Sequence, residues 1–210
     1  MGGIDRETLE QVIDALADYA KRNLTEAKLL QLDHADEFPV DIVRAMGGPE
    51  LGIGQFFMPE DCHGVGSGAF DLYRVCERMA RVDLGVATGL FATFLGSEPI
   101  GVGATPEQKQ RWLTRIADEG IIMAYGATEP AAGSDLGALR TVATRVEEDG
   151  KVVGYKISGS KQWISNGGYA DLYTILANAP EGPSWFVVER GTPGLSCGKP
   201  EDKHGIRISN

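Results

Sequence analysis

The chain has 210 residues, 42% of them apolar and 24% charged, which is ordinary for a soluble globular protein. This length suffices for one large domain or two small ones. The formal net charge of −10 argues against a nucleic-acid-binding protein, because such proteins present a cationic face to phosphate. The charge does not exclude a single anionic cofactor, since a local group of donors can hold one.

The three cysteines and three histidines match no metal-ligand spacing. Three widely separated cysteines do not form a disulfide framework and indicate a reducing compartment. The N-terminus has no basic segment followed by an apolar run, and no apolar stretch approaches the length of a membrane span. We therefore predict a cytoplasmic protein without a metal site and without membrane insertion.

The first part of the chain has the patterns of helices. Apolar residues between Leu9 and Ala20 recur at helical spacing and predict an amphipathic helix. Residues 36–45 and 69–82 predict two more helices. Residues 84–95 are almost all small or apolar, which predicts a helix that is buried on most faces.

A strong helix start follows at residues 105–108. Thr105 can cap a helix, Pro106 suits the first helical position, and Gln108 completes a capping box. The predicted buried face of this helix consists of Trp112, Leu113, Ile116 and Ala117.

After about residue 120 the pattern changes to that of strands. Short β-branched or aromatic runs alternate with glycine-containing turns, which is typical of hairpins. The predicted strands are residues 142–146, 152–157, 173–177 and 185–188. A helical region followed by an antiparallel β region is therefore expected.

An aperiodic segment, residues 125–135, stands between the two regions. It combines a threonine hydroxyl, two carboxylates, a proline and a turn of small residues. It has neither helical nor strand periodicity, so core packing does not explain it. We interpret it as a loop that presents backbone N–H groups and the Thr128 hydroxyl to a flat ligand with a polar edge.

A second unusual segment occupies residues 159–168. A flavin ring has an apolar face and a hydrogen-bonding edge, so a protein holds it with backbone donors, a hydroxyl and an aromatic wall. Here Trp163 would supply the wall and Ser165 a polar contact. Taken singly, Thr128 is more typical of a helix cap and Trp163 of a core residue. The combination of both segments is what predicts a flavin.

Together these segments resemble the flavin-dependent acyl-CoA dehydrogenase family. Residues 128–135 contain that family's Thr-Glu-Pro-x-x-Gly-Ser-Asp signature, and residues 159–167 match its Gly-x-Lys-x-Trp-Ile-Ser-Asn-Gly block. Residues 58–66 resemble its Pro-Glu-x-x-Gly-Gly-x-Gly loop, with His63 where glycine is usual. A Lys-x-Gly-x-Arg-x-Ser block begins at Lys203.

The resemblance covers essentially the whole chain and implies a fold. The family has an N-terminal helical domain, which would be residues 1–120, and a middle β-barrel-like domain, which would be residues 121–210. Its third domain is a C-terminal four-helix domain. The expected fold class is therefore α+β: a helical domain followed by an antiparallel β-barrel-like domain, truncated before the C-terminal four-helix domain.

The resemblance also implies FAD as cofactor and an acyl-CoA as substrate. In the family, a carboxylate of the C-terminal domain removes the α-proton of the thioester, and the β-hydrogen leaves as hydride to the flavin. Electrons then pass to an electron-transfer flavoprotein. No residue here matches that base, because Glu129 and Asp135 are structural in the family's signature loop. We therefore predict no catalytic residue in this chain and no activity from the chain alone.

The family's binding residues carry over onto matching positions. Ser134 would contact both flavin and acyl-CoA. Phe91 and Phe94 would line the acyl pocket and favour a short acyl group, although both are also typical core residues. The predicted flavin contacts are Tyr125, Gly126, Ala127, Thr128, Gly133, Ser134, Trp163, Ile164 and Ser165.

Alternative functions stay open on the sequence alone. The same fold serves acyl-CoA oxidases and flavin monooxygenases, and a non-catalytic subunit or fragment would keep the same motifs. The family completes its FAD site from the C-terminal domain and a neighbouring subunit. We therefore expect a homo- or hetero-oligomer, such as a homotetramer, in which another chain or domain supplies the helical bundle. Nucleic acid is not an expected partner.

Overall fold

The computed structural model describes residues 3–210, in which a helical region is followed by a five-stranded mixed sheet. The expected α+β class and its order along the chain are therefore confirmed. The helices are α1 (Arg6–Asn23), α2 (Glu26–Ala35), α3 (Val40–Gly47), α4 (Ile53–Phe57), α5 (Ala69–Ala80), α6 (Leu84–Gly103) and α7 (Pro106–Glu119).

Side-chain caps explain where several helices begin. The Asp5 carboxylate accepts a hydrogen bond from the Thr8 N–H at 2.9 Å at the start of α1. The predicted capping box of α7 is confirmed, since the Thr105 hydroxyl accepts from the Gln108 N–H and the Gln108 side chain accepts from the Thr105 N–H. Helix α6 begins with a single side-chain cap, since the Asp83 carboxylate accepts a hydrogen bond from the Val86 N–H at 2.8 Å.

The helix predicted at residues 36–45 is present as α3 (Val40–Gly47), but its predicted start is wrong. Helix α2 already ends at Ala35, and Asp36 takes a left-handed conformation with φ of 51°. Pro39 then disfavours a helical conformation at Phe38, so that α3 begins only at Val40. Helix α2 was not predicted because it buries little and has no apolar stripe. Helix α4 was not predicted because it is a single short turn.

The strands are β1 (Met123–Gly126), β2 (Val142–Glu148), β3 (Lys151–Ser158), β4 (Leu172–Ala179) and β5 (Gly182–Glu189). Strand β4 is central, since it pairs parallel to β1, antiparallel to β5, and through one parallel bridge to β2. Strands β2 and β3 form the expected antiparallel hairpin. The pairing is therefore mixed where antiparallel pairing was expected, because β1 joins the sheet from the end of the helical region.

The helices and the sheet share one hydrophobic core. It includes Leu16 of α1, Leu90 of α6, Met123 of β1 and Leu172 of β4, all of which are buried. Helix α6 lies against β1 and is buried along most of its length, as predicted from its composition. It is longer than residues 84–95, since it continues past Pro99 to Gly103.

Buried polar groups also join α6 to the sheet, and we call Thr93, Asn166 and Thr174 the polar seam. All three are at most 4% exposed. The Thr93 hydroxyl accepts from the Met123 N–H at 3.3 Å, and the Thr174 hydroxyl donates to the Gly96 carbonyl at 2.9 Å. The seam fixes the register between helix and strands, because a buried donor without a partner is costly.

Candidate flavin and acyl-CoA site

The segment at residues 125–135 begins as a strand and ends as a series of turns. Tyr125 and Gly126 belong to β1, which corrects their assignment to a loop. Strand β1 was missed because it has four residues and Met123, Ala124 and Gly126 are all buried, so no alternation is visible. Beyond it, Glu129 and Ala132 exchange two backbone hydrogen bonds.

The Glu129 carboxylate lies in the interior of this loop and is only 4% exposed. It accepts hydrogen bonds from the Arg140 N–H at 2.7 Å, the Thr141 N–H at 3.0 Å, the Thr141 hydroxyl, and the Lys161 ammonium at 2.8 Å. Burial raises the pKa of this carboxyl, but the hydrogen bonds outweigh burial and lower the pKa to about 2. Glu129 is therefore a structural anion that is fully ionised at neutral pH.

Lys161 joins the two motif segments. Besides its ion pair with Glu129, its ammonium donates to the Ala127 carbonyl at 3.0 Å, and its side chain is 10% exposed. The next residue, Gln162, donates its N–H to the Thr128 carbonyl at 3.0 Å. These contacts hold the second segment against the first immediately before Trp163.

Trp163 follows this joint and points away from the core. Its side chain is 68% exposed, and its backbone has φ of 57°, which is a strained conformation for a residue with a bulky side chain. Strained residues cluster at ligand-binding sites, where surrounding contacts hold them in place. An exposed tryptophan with such a backbone is therefore typical of a ligand-binding position. Ile164 and Ser165 follow and are half-buried.

A large open cleft of about 1800 Å³ lies beside this segment. Of the predicted flavin contacts, Gly126, Trp163, Ile164 and Ser165 line it. Strand β5 and the chain that follows β5 form other parts of its wall. The cleft is an open groove rather than a closed pocket.

The remaining predicted contacts are not part of the cleft wall within residues 3–210. Tyr125 packs its ring against Trp185 at a centroid distance of 4.7 Å, and Ala127 is buried. Thr128 is half-buried, whereas Gly133 and Ser134 are exposed on the following turn. The structure therefore brings Thr128 and Trp163 together through the Lys161 joint, and it places Ser134 at the surface.

Gly133 has open space around its α-carbon. A β-carbon built there meets no atom of the described chain within 4 Å, and the residue does not need a left-handed backbone. Neither packing nor backbone conformation within residues 3–210 therefore requires glycine at this position. Close approach of a ligand is a reason for glycine that remains compatible with this geometry.

The predicted acyl-pocket residues lie in an aromatic cluster on α6. Phe94 is 5% exposed and stacks on Phe57 with a centroid distance of 3.6 Å. Phe91 is half-buried at the edge of the cluster, 5.5 Å from Phe57. Neither ring belongs to the cleft wall.

Residues 3–210 contain no group of three or more His, Cys, Asp or Glu side chains placed to hold a metal ion. In the same part of the chain, no helix has both the length and the apolar character needed to cross a membrane. Asp135 accepts from the Gly137 N–H at 2.9 Å and so shapes the turn that follows the signature.

The ion pair that joins the two segments was not predicted from the sequence. Both Glu129 and Lys161 stood in the motifs, and two opposite charges in two aperiodic loops were the available signal. The role of Asn166, which is fully buried and left-handed with φ of 63°, was also not predicted. Its place in the Gly-x-Lys-x-Trp-Ile-Ser-Asn-Gly block was the available signal, but the sequence does not show which groups its amide contacts.

Comparison with known proteins identifies the class. Residues 6–120 match the family model "Acyl-CoA dehydrogenase, N-terminal domain", and residues 124–210 match "Acyl-CoA dehydrogenase, middle domain". These matches cover nearly the whole chain, so the protein belongs to the acyl-CoA dehydrogenase family.

Individual relatives agree with this assignment. An acyl-CoA dehydrogenase of Bacillus subtilis is 34% identical over 97% of this chain and 54% of its own length. The structure of butyryl-CoA dehydrogenase from Megasphaera elsdenii is 30% identical and has a TM-score of 0.86, covering 100% of this chain and 55% of that one. An acyl-CoA dehydrogenase from Bacillus anthracis complexed with FAD is 29% identical with a TM-score of 0.84, over 98% and 34% of the two chains. The chain thus spans about half the length of the Bacillus subtilis and Megasphaera elsdenii relatives and about a third of the Bacillus anthracis chain.

Proposed function

We propose that this chain forms the flavin- and substrate-positioning part of an FAD-dependent acyl-CoA dehydrogenase, which introduces an α,β double bond into an acyl-CoA thioester. The observation that carries the proposal is the joint between the two motif segments. The Lys161 and Gln162 contacts to Ala127, Thr128 and Glu129 align the Thr128 segment with an exposed Trp163 at the cleft. This arrangement offers polar backbone on one side and an aromatic wall on the other, which suits a flavin.

When bound, FAD would supply the hydride acceptor that this reaction needs. The chain's own contribution is to bind and orient it. The proposed contacts are Trp163 to Ser165 on the ring face, Thr128 at the polar edge, and Ser134 between flavin and acyl-CoA. The FAD complex of the Bacillus anthracis relative supports this cofactor.

Proton abstraction from the substrate is assigned to a residue outside this chain. Both carboxylates of the signature loop are engaged in shaping it, since Glu129 is ion-paired and Asp135 caps a turn. A general base needs a free carboxylate within reach of the substrate. We therefore propose that another chain or domain supplies the base and a helical bundle, within a cytoplasmic homo- or hetero-oligomer that passes electrons to an electron-transfer flavoprotein.

We further propose that Phe91, the less buried of the two phenylalanines, limits the length of the acyl group. Its edge position in the cluster lets it face a ligand, whereas Phe94 is held in the stack with Phe57. The butyryl-CoA dehydrogenase of Megasphaera elsdenii is consistent with a short-chain substrate. Phe91→Ala should then shift the preference of the complete enzyme toward longer acyl groups.

A flavin titration tests the main proposal. The purified chain should quench the fluorescence of added FAD and bind it saturably, and Thr128→Ala should weaken binding by about tenfold, as expected for one lost hydrogen bond to a buried polar group. Thr144→Ala is the matched control, since Thr144 is exposed on β2 and is not one of the residues that line the cleft. Failure to bind FAD both by the unmodified chain alone and by the chain with the C-terminal helical domain supplied would refute the proposal.

A second measurement separates the dehydrogenase from its alternatives. With the C-terminal helical domain supplied, substrate should reduce the electron-transfer flavoprotein without oxygen consumption. Rapid oxygen consumption would instead indicate an oxidase or monooxygenase. Absence of any turnover despite bound FAD would indicate a non-catalytic subunit.

A further inference from the structure

Asn166 makes more connections than any role in local turn formation requires. Its side-chain amide donates to the Gly89 carbonyl of α6 at 2.8 Å and to the Met123 carbonyl of β1 at 3.2 Å. Its backbone N–H donates to the Asn210 carbonyl at 2.9 Å, and its carbonyl accepts from the Tyr169 N–H. The residue thus links a helix, a strand and the end of the chain.

The same residue closes the segment that carries Trp163. Trp163 and Asn166 both have left-handed backbones, with φ of 57° and 63°, and the Gly167 N–H donates to the Ile164 carbonyl between them. This conformation is strained for Trp163, whereas asparagine tolerates it, so the Trp163 end of the turn in particular needs external contacts to stay in place. Lys161 and Gln162 hold the beginning of the turn, and Asn166 holds its end.

Burial makes the Asn166 contacts strong. The side chain is 0% exposed, and its carbonyl oxygen Oδ1 has no hydrogen-bond partner within the described residues. An orphaned buried acceptor is unfavourable, so the residue is poorly explained by stability alone. The unsatisfied oxygen is the consequence of aiming the amide nitrogen at two carbonyl groups on different elements.

We propose that Asn166 is a positioning residue for the flavin site. By bonding to Gly89 and Met123, it fixes the Trp163–Ser165 turn relative to α6, the helix that carries Phe91. This inference rests on the proposed function, in which Trp163 faces the flavin and α6 borders the acyl group. Asn166 then sets the position of the ring wall relative to the acyl pocket without touching either ligand.

The test compares Asn166→Gly with Thr174→Val. Glycine keeps the left-handed backbone but removes the amide donor. Thr174→Val removes a different hydrogen bond of the same polar seam at an equally buried position, and it leaves the Trp163 turn untouched. In the chain without ligand, Asn166→Gly should raise hydrogen exchange at the Gln162, Gly167 and Tyr169 amides at least about tenfold relative to Thr174→Val, as loss of one buried hydrogen bond predicts.

Flavin binding gives the second readout. Asn166→Gly should weaken FAD affinity and reduce quenching of the flavin by Trp163, whereas Thr174→Val should change neither. Equal exchange at these amides in the two variants, or unchanged FAD binding in Asn166→Gly, would overturn the inference. If the unmodified chain binds no FAD either alone or with the C-terminal helical domain supplied, the proposed function fails, and exchange alone decides whether Asn166 orders the turn.

A second variant covers the case in which Asn166→Gly does not fold. Asn166→Asp has the same shape and tolerates a left-handed backbone, but its carboxyl can donate to a carbonyl only while protonated. Protection of the turn should therefore be lost at neutral pH and partly recovered in acid. Complete unfolding of both variants, with Thr174→Val still folded, would make Asn166 a general core residue and would overturn the positioning role.

Discussion

Glu129 holds a full negative charge inside the protein, which is sustained only because every side of its carboxylate meets a donor. The Lys161 ammonium is the one charged donor among them and is itself almost fully buried. A buried ion pair of this kind contributes modestly to net stability, but removing one partner leaves an uncompensated charge. The pair therefore specifies one arrangement of the two segments.

Replacing the lysine should expose this dependence. Lys161→Met preserves the aliphatic length and removes the charge, so we expect the free energy of unfolding to fall by about 3–5 kcal/mol. Urea denaturation followed by circular dichroism measures the change. Lys156→Met, at an exposed position on β3, is the control and should change the unfolding free energy by less than about 0.5 kcal/mol.

Acid should destabilise the protein through the same carboxylate. The pKa of Glu129 is about 2 in the folded chain against an ordinary value of 4.5, so its contribution is fully present above pH 4.5 and is lost as pH falls toward 2. A shift of this size corresponds to about 3 kcal/mol. The unfolding free energy of the unmodified chain should drop over this interval, and Glu129→Gln should flatten the drop. A Glu129→Gln variant with an unchanged pH profile would contradict the assignment, whereas Glu147→Gln, at an exposed position on β2, should retain the profile.

A substitution at Gly133 tests whether glycine is needed there for folding or for ligand binding. Since a β-carbon meets nothing there, Gly133→Ala should leave the unfolding free energy within about 0.5 kcal/mol of the unmodified chain. If glycine is present so that a ligand approaches the backbone, the same variant should weaken FAD or acyl-CoA binding in the complete enzyme. Isothermal titration and urea denaturation on one preparation test both halves, and unchanged binding would assign Gly133 to neither role.

The turn after α4 explains why His63 can stand where the family's Pro-Glu-x-x-Gly-Gly-x-Gly loop usually has glycine. This residue has φ of 66°, a conformation that glycine adopts freely, and its imidazole contacts the exposed Asp118 of α7 at 2.9 Å. The following residue, Gly64, is glycine by necessity, because a β-carbon there would overlap the Met58 carbonyl. Only the first of the two positions therefore tolerates a side chain.

Variants at His63 should follow the order that the backbone dictates. His63→Gly removes a surface contact of small value and relieves the left-handed strain, whereas His63→Ala removes the contact and keeps the strain. We expect the glycine variant to be about 1 kcal/mol more stable than the alanine variant. Thermal unfolding of the pair gives the comparison. The reverse order would show that the Asp118 contact outweighs the backbone.

Some elements of the fold were predictable from the sequence and others were not. Helices α1 and α7 and the β2–β3 hairpin were predictable because their apolar periods, caps and turn residues all agree. Helix α2 was not, because it buries little and has no apolar stripe, and strand β1 was not, because it is short and mostly buried. In the candidate site, Glu129, Lys161 and Asn166 all stand in the sequence motifs, but their contacts join residues that only the fold brings together.

For the whole molecule, Arg44 and Asp171 connect the helical region to the sheet. The guanidinium of Arg44 on α3 makes two contacts with the Asp171 carboxylate, at 2.9 and 2.7 Å, and that carboxylate also accepts from the Ile122 N–H. Burial raises the pKa of Asp171, but Arg44 and the Ile122 N–H outweigh burial and lower it. The pair is half-buried and bidentate, so it is stronger than an ordinary surface ion pair.

Loss of this connection should be measurable against a surface pair. Asp171→Asn should lower the unfolding free energy by about 1–2 kcal/mol, because it weakens the Arg44 contacts. Glu10→Gln breaks the exposed Arg6–Glu10 pair on α1 and should change the unfolding free energy by less than about 0.5 kcal/mol. Equal effects of the two changes would mean that the Arg44–Asp171 pair does not hold the two regions together.

The parallel pairing of β1 with β4 has a consequence for how the chain acquires its shape. These two strands are separated by the signature loop, the entire β2–β3 hairpin and the Trp163 turn, so their pairing closes a long loop at a large cost in chain entropy. Such non-local contacts form slowly, whereas the helices and hairpins are local and fast. Both motif segments lie within this closed loop, so they should be among the last parts of the protein to become ordered during folding and the first to be released when it unfolds.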